Sequence, residues 1–395
     1  MPVYFCCLSN MNPLRKKIGI IGGGQLGRMM IEESLRLNVE INVLDAPDCP
    51  CSELAHQHVS GSLMDAHAIR KLAEICDVLT YEIEHVNTEV LHALEKEGKE
   101  IIPSPRILEI IKDKGLQKQF FTEQAIPTAA YELVESPEEW PAAVKQFTSP
   151  RLVAKTRKDG YDGKGVSIFN TADIIQNPKL IPFTAPSLIE DLIDCEKELS
   201  VMVARDRDGN ASTWPVVEME FDPVANLVTF LDCPATLTDE LAVKARDLAL
   251  QTVAALDGVG VFAVEMFLTK KGEILVNEVA PRPHNSGHHT IEACYTSQFE
   301  QLVRILIGLP LGSTGLIKPA VMMNLLGGDG FSGNFKLQGI DEAAKMEGVY
   351  IHLYGKKESK PMRKMGHITV LGNTLTEARS KASNLTQTVS IIADN

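Results

Sequence analysis

Residues 264–290 read VEMFLTKKGEILVNEVAPRPHNSGHHT: two apolar runs joined by Lys-Lys-Gly, then a dense polar tail. Such runs flanking a glycine-containing turn predict a β-hairpin, with strands at 261–268 and 274–279. A two-residue turn at Lys271-Gly272 sets Thr269 opposite Ile274 and, in continued register, Glu265 opposite Glu278. Directly opposed residues share a face with Cβ atoms about 4.5–5.5 Å apart, where like charges repel. A divalent cation between the carboxylates reverses that sign. Oxygen-only ligands with positions left for phosphate and water suit magnesium. Alternation points Asn277 to the other face. The competing reading is a longer turn with another register and two exposed glutamates.

The tail from Pro281 to His289 supplies further polar groups. Arg282 is placed to neutralise a transferring phosphoryl group. His284 and His288 have a helical zinc spacing, but Pro283 and Gly287 argue for a loop, and no third ligand or cysteine cluster is near. A zinc site is not expected.

Upstream, residues 152–155 read as a strand, and a glycine-rich turn joins them to a second strand at 166–169. Gly160, Gly163 and Gly165, flanked by Lys155, Arg157, Lys158 and Lys164, make a cationic flap able to close over a polyphosphate. The alternative is an ordinary hairpin with a solvated basic edge, for which Tyr161 and Asp162 have no use. Strands are also expected at 187–190 and 198–203. Helices are expected at 113–122, with Leu116 and Phe120 on one face, and at 238–256.

The chain opens with a βαβ pattern: strand 18–21, helix 28–37, strand 40–44, with later strands at 78–81 and 100–102. Gly22, Gly24 and Gly27 fit GxGxxG, and Asp45 stands at the spacing of a ribose-binding acid. Alone, this loop allows a nicotinamide-dependent dehydrogenase or a plain tight turn. Arg28 after the last glycine suggests an anion in either case. Pro103 and Pro105 break the pattern. The expected organisation is α/β and α+β: a Rossmann-like part at 1–104, a central part at 105–315 with a flap subdomain at 128–200, and a small β-rich part at 316–395.

With 395 residues, two or three cores are expected. No apolar run reaches about 18 residues, so no membrane span is expected. Residues 1–16 read as a frayed extension, with Met11 as an alternative start. A net charge of −13 disfavours nucleic acid as a partner. Eight cysteines without a CxxC pair fit reduced thiols and a cytoplasmic protein.

Taken together, the hairpin and its tail, the flap KDGYDGKG (158–165) and the opening IGGGQLGRMM (21–30) resemble the ATP-grasp superfamily. With TYEIEHV (80–86) and RKMGHI (363–368), they are similar to the carboxyaminoimidazole ribonucleotide synthetases within it. The likeness runs from about residue 17 to about 375. It implies that Lys114 and Lys155 contact the nucleotide phosphates and that Gly160, Tyr161, Asp162, Gly163, Lys164, Gly165 and Val166 close over them. It implies an adenine pocket along Glu190, Asp191, Leu192 and Ile193, and ribose binding by Glu198. Glu265 and Glu278 would hold two magnesium ions, with Asn277 beside them. Tyr161, Asp162, Arg282 and His284 would surround a bicarbonate-derived intermediate. Gln25, Leu26 and Glu82 would hold aminoimidazole ribonucleotide, and Lys356 and Arg363 its phosphate. Phe221 stands where such proteins often have a histidine, so no role is assigned there.

The resemblance further implies a homodimer and an ATP- and bicarbonate-dependent carboxylation of the substrate amine through carboxyphosphate. The alternatives are a sibling ligase, such as a formate-dependent glycinamide ribonucleotide transformylase, the dehydrogenase, and a silent ligand-binding protein.

Overall fold

The computed structural model describes residues 15–158, 160, 165–222 and 227–394. Arg15 and Lys16, counted above with the frayed extension, are among them, and Lys16 Nζ pairs with Glu100 at 3.2 Å. The rest of that expected extension lies outside the described residues, as do Tyr161, Asp162, Gly163 and Lys164.

Strands β1 (Ile18–Ile21), β2 (Ile41–Asp45), β3 (Gln57–Ser60), β4 (Val78–Tyr81) and β5 (Glu100–Ile101) form a parallel sheet in the order β3-β2-β1-β4-β5. Helices α1 (Gln25–Leu35), α2 (Ala66–Glu74) and α3 (Thr88–Lys96) make its crossovers. Ile18, Ile20 and Ile21 are fully buried, as strands covered on both faces require. The order reverses between β1 and β4, so the loops leaving these strands lie side by side, where open α/β sheets bind ligands. Helix α1 starts at Gln25, three residues earlier than the sequence suggests, which places Gly27 inside it.

Helices α4 (Pro105–Lys112) and α5 (Lys114–Glu123) lead into a four-stranded sheet ordered β6-β9-β7-β8. Its members are β6 (Tyr131–Val134), β7 (Arg151–Thr156), β8 (Val166–Asn170) and β9 (Ser187–Asp191), with α6 (Trp140–Val144) and α7 (Thr171–Gln176) alongside. Leu116 of α5 is 40% exposed, contrary to expectation, and Phe120 and Phe121 carry the apolar contact instead.

The largest sheet holds β10 (Cys195–Arg205), β11 (Ala211–Thr213), β12 (Val217–Phe221), β13 (Val228–Cys233), β14 (Gly260–Thr269) and β15 (Ile274–Ala280). Helix α8 (Asp239–Ala255) covers one face: Ala245, Ala249 and Val253 meet Leu199, Val201, Val203, Phe262 and Val264. On the other face, Met202, Ala204, Val261 and Ala263 pack against α1 and α10 (Gln298–Ile307), which follows the short α9 (Thr290–Ala293). Strand β16 (Ala320–Leu326) joins this sheet beside β13. Beyond it come β17 (Phe335–Gln338), α11 (Ile340–Ala344), β18 (Val349–Leu353), β19 (Lys364–Leu371), α12 (Leu375–Thr388) and β20 (Ser390–Ala393). Strands β19 and β18 extend the large sheet, while β17 pairs with β20. The segment after residue 316 is thus continuous with the central sheet.

Candidate active site

The hairpin pairs Glu265 with Glu278, by a route the sequence does not reveal. Its loop is one residue longer than expected: Thr269 N donates to Glu273 O at 2.9 Å, Gly272 takes φ +79°, and Leu268 sits opposite Ile274. A one-residue slip exchanges the two faces of a strand, so this register alone would bury Glu278 in the core. A bulge reverses the slip. Asn277 is inserted between the Met266–Val276 and Glu265–Glu278 pairs. Asn277 Oδ1 accepts from Lys155 Nζ at 3.0 Å, on the side of Glu278. The expectation that alternation turns Asn277 away is corrected by that bulge.

Three lysines converge there. Lys114 opens α5 and pairs with Glu278 Oε2. One turn on, Lys118 Nζ lies 2.5 Å from Glu190 Oε1, and Lys155 Nζ lies 2.6 Å from Glu190 Oε2. Burial raises the Glu190 carboxyl, but Lys155 and Lys118 overcome it and hold the group down to about 2. The Glu190 side chain is therefore a counter-ion to two lysines, and Asp191, Leu192 and Ile193 follow it, half-buried, into the turn before β10. Sequence reasoning missed Lys118. Its signal was the i,i+4 spacing from Lys114, which stacks both ammonium groups on one helix face.

Burial and the facing Glu278 push the Glu265 carboxyl upward, while Lys114 holds Glu278 down. Ser200, opposite Glu265 on β10, and Glu198 two residues away share that face, and burial raises the Glu198 carboxyl. His284 Nε2 lies 3.6 Å from Glu265 Oε1, and Gln298 grips the His284 backbone through bonds of 2.8 Å at both N and O. Arg282 pairs with Glu84, Nε to Oε1 at 2.9 Å, a partner not foreseen from sequence.

Among the described residues no three His, Cys, Asp or Glu side chains converge as a metal cage. Magnesium taking most of its oxygens from water and a polyphosphate needs only one or two carboxylates, and the Glu265–Glu278 pair has that form. Glu278 is 39% exposed at its side chain, so a ligand from the cleft can reach it. No zinc-type cluster forms around His284 and His288 among the described residues.

The opening glycine loop is already filled. Glu82, leaving β4, accepts from Gly24 N and, at 2.5 Å, from Gly27 N, while Asp45 accepts from Gly23 N at 2.6 Å. A pyrophosphate would need those amides at the helix N-terminus. A Cβ at Gly22 would lie 2.6 Å from Glu82 Cγ, so the glycine makes room for a carboxylate. This corrects the dehydrogenase alternative. Buried Leu26 and the adjacent Gln25 carry the loop toward the third part of the chain, where Lys356 Nζ donates to Gln25 Oε1 at 2.9 Å. Lys356 Nζ also donates to Lys364 O at 2.5 Å, and the adjacent Arg363 donates to Glu358 O at 2.6 Å. At the flap, Gly165 takes φ +76° and accepts from Thr156 N at 2.9 Å, just before Val166 opens β8, and a Cβ on Gly165 would stand 3.6 Å from Gly160 Cα. Phe221 ends β12, opposite Val228.

Comparison with known proteins matches three family models in succession. Residues 15–112 match the ribonucleotide synthetase preATP-grasp domain, residues 119–299 the ATP-grasp domain, and residues 320–381 the phosphoribosylaminoimidazole carboxylase C-terminal domain. The N5-carboxyaminoimidazole ribonucleotide synthase of Bacillus subtilis is 39% identical over 355 residues, covering 90% of this chain and 91% of that one. A chloroplastic phosphoribosylaminoimidazole carboxylase of Vigna aconitifolia is 38% identical across 93% of this chain, which spans only 66% of that longer protein. The N5-carboxyaminoimidazole ribonucleotide synthetase of Thermotoga maritima superposes with a TM-score of 0.87 at 44% identity, over 96% of this chain and 100% of that one. An Aspergillus clavatus N5-carboxyaminoimidazole synthase, solved with ADP and 5-aminoimidazole ribonucleotide, gives 0.86 at 36% identity, over 95% of this chain and 99% of that one. The chain belongs to the N5-carboxyaminoimidazole ribonucleotide synthetase family of ATP-grasp ligases.

Proposed function

We propose that the chain uses ATP and bicarbonate to carboxylate the amine of 5-aminoimidazole ribonucleotide, the step its relatives' names describe in purine biosynthesis. The observation that carries this reading is the Glu265–Glu278 pair, opposed across the hairpin with Lys114 paired to Glu278 and Lys118 and Lys155 gathered on neighbouring Glu190. Lys114 and Lys155 hold the polyphosphate and orient it toward the carboxylate pair. Glu265 and Glu278, with Asn277 beside them, would hold magnesium, which would offset charge on the phosphate oxygens.

A bicarbonate oxygen attacks the γ-phosphorus, giving carboxyphosphate and ADP. Arg282 balances charge on that intermediate, with Glu84 fixing its orientation. Carboxyphosphate then splits to carbon dioxide and phosphate. The amine attacks the carbon dioxide, and His284, held at its backbone by Gln298, is placed to take the proton. Gln25, Leu26 and Lys356 hold the aminoimidazole ribonucleotide, with Arg363 toward its phosphate. Asp162 and Tyr161, in the flap, share the task of excluding water. Cytoplasmic residence and a homodimer are part of this proposal. The described cysteines form no disulfide, and no described helix is long and apolar enough to cross a membrane.

ADP release, measured with each acceptor in turn, tests the reading. Release should need both bicarbonate and 5-aminoimidazole ribonucleotide, and Glu278→Gln should abolish it. Turnover with formate and glycinamide ribonucleotide would transfer the chain to the sibling activity.

A further inference from the structure

An ion-pair cluster at the root of the flap has no part in the scheme above. Arg157 is the first residue beyond β7, two positions after Lys155 and so on the same side of that strand. Its guanidinium makes a parallel fork to Asp113, Nε to Oδ1 at 2.8 Å and Nη2 to Oδ2 at 2.8 Å, and a third bond to Glu135. Asp113 is 4% exposed and caps α5, its Oδ1 accepting from Gly115 N at 2.9 Å and Leu116 N at 3.3 Å. The main chain adds a rivet, since Lys114 N donates to Arg157 O at 2.9 Å. The position between them is open only to glycine: a Cβ on Gly115 would stand 2.6 Å from Arg157 Nε.

The geometry therefore adds a second tie between α5 and β7, beside the one that Lys118 and Lys155 make through Glu190. Strand β7 carries Lys155, and α5 carries Lys114 and Lys118. All three ammonium groups converge on Glu190, Asn277 and Glu278 from opposite sides of the cleft. A single buried carboxylate holding both the α5 N-terminus and the guanidinium sets the distance between Lys114 and Lys155. A planar fork defines orientation as a point charge cannot.

We infer that Arg157 and Asp113 are positioning residues for nucleotide binding, locking the flap strand to the helix that presents Lys114. This rests on the reading of the lysine cluster as an ATP site. The alternative, a clamp that merely stabilises the fold, predicts a lower melting temperature without a selective change in substrate affinity.

Steady-state ADP release on the intact protein separates the two. Arg157→Gln should raise KM for ATP by about tenfold, with KM for 5-aminoimidazole ribonucleotide within about twofold of wild type, the pattern of lost binding at one substrate only. Arg157→Lys, which keeps charge but not the fork, should fall between. Gly115→Ala serves where Arg157→Gln does not fold: its methyl displaces the guanidinium without removing it, so KM for ATP should rise while KM for 5-aminoimidazole ribonucleotide stays within about twofold of wild type. Lys155→Ala is the control. If it raises KM for ATP while Arg157→Gln and Gly115→Ala leave it unchanged, or if they raise both KM values alike, the inference is overturned and the ATP site stands. If Lys155→Ala leaves KM for ATP unchanged, the ATP reading itself fails.

Discussion

Glu265 and Glu278 are identical side chains facing one another, yet their surroundings separate them. Burial and the neighbouring carboxylate push Glu265 well above the usual carboxylate range, whereas Lys114 lies against Glu278 and keeps it ionised. Glu265 and Glu278 would hold a magnesium ion best with both carboxylates ionised, so any proton on Glu265 would have to leave on loading. Magnesium affinity in the presence of ADP should therefore strengthen as pH rises through the range in which Glu265 ionises, which lies above the usual carboxylate range, approaching tenfold per pH unit below it and levelling off above it. Titration calorimetry in buffers of different ionisation enthalpy would show the released proton, and Glu265→Gln should remove both the slope and the proton. A flat profile would mean that the two side chains do not share an ion. The pair was legible because glutamates opposed on a ribbon are costly without a partner. Glu82 was named as a substrate ligand, but its grip on Gly24, 58 residues away, and on Gly27 was hidden, since it depends on β1 and β4 being neighbours in the sheet.

The hairpin shows why a correct pairing can be drawn from an incorrect ladder. A two-residue turn with regular alternation and a three-residue turn with one bulge both bring residue 278 opposite residue 265. Only the second also brings Asn277 to the lysine side, and nothing in ILVNEVA distinguishes them locally. The bulge makes a specific prediction. Removing Asn277 leaves Val276 opposite Met266 and moves Glu278 directly into the next position, still facing Glu265. The deletion should keep the fold and magnesium-dependent ADP release. KM for ATP should rise about ten- to a hundredfold, the scale of one lost hydrogen bond to a charged group, because Lys155 loses its amide partner. Loss of all turnover in a folded deletion variant would show that the bulge itself aims the carboxylate. Helix α5 was equally readable in outline and not in detail. Its span follows from periodicity, but which lysine meets which glutamate follows from β7 and β9 lying across it.

Across the whole molecule, the last part of the chain is tied to the central sheet in two ways that sequence order conceals. Strand β16 pairs with β13 across a long stretch of intervening chain, and a column of imidazoles joins the tail of the hairpin to β18 and β19. His352 stacks on His367 with centroids 4.4 Å apart, and His367 lies 4.7 Å from His288. Tyr354 Oη bonds to His367 Nδ1 at 3.0 Å, and Glu292 holds His352 at 2.7 Å. Burial keeps His288 and His367 well below the usual histidine range, and neighbouring His289 down to about 4. Between that value and the ordinary 6.5, the unfolded chain binds a proton at His289 that the folded chain refuses. The associated stability is complete above pH 6.5 and is lost as pH falls toward 4. The raised carboxyls of Glu82 and Glu265 run in the opposite sense, so the wild-type profile alone mixes signs. Comparison with His289→Leu isolates the histidine. Relative to that variant, the wild type should lose about 1 kcal/mol of unfolding free energy between pH 7.5 and pH 5.5 by denaturant titration. Parallel profiles over that interval would place the His289 ring in contact with solvent in the folded protein, and the packing between hairpin tail and closing strands would then be looser than its burial implies.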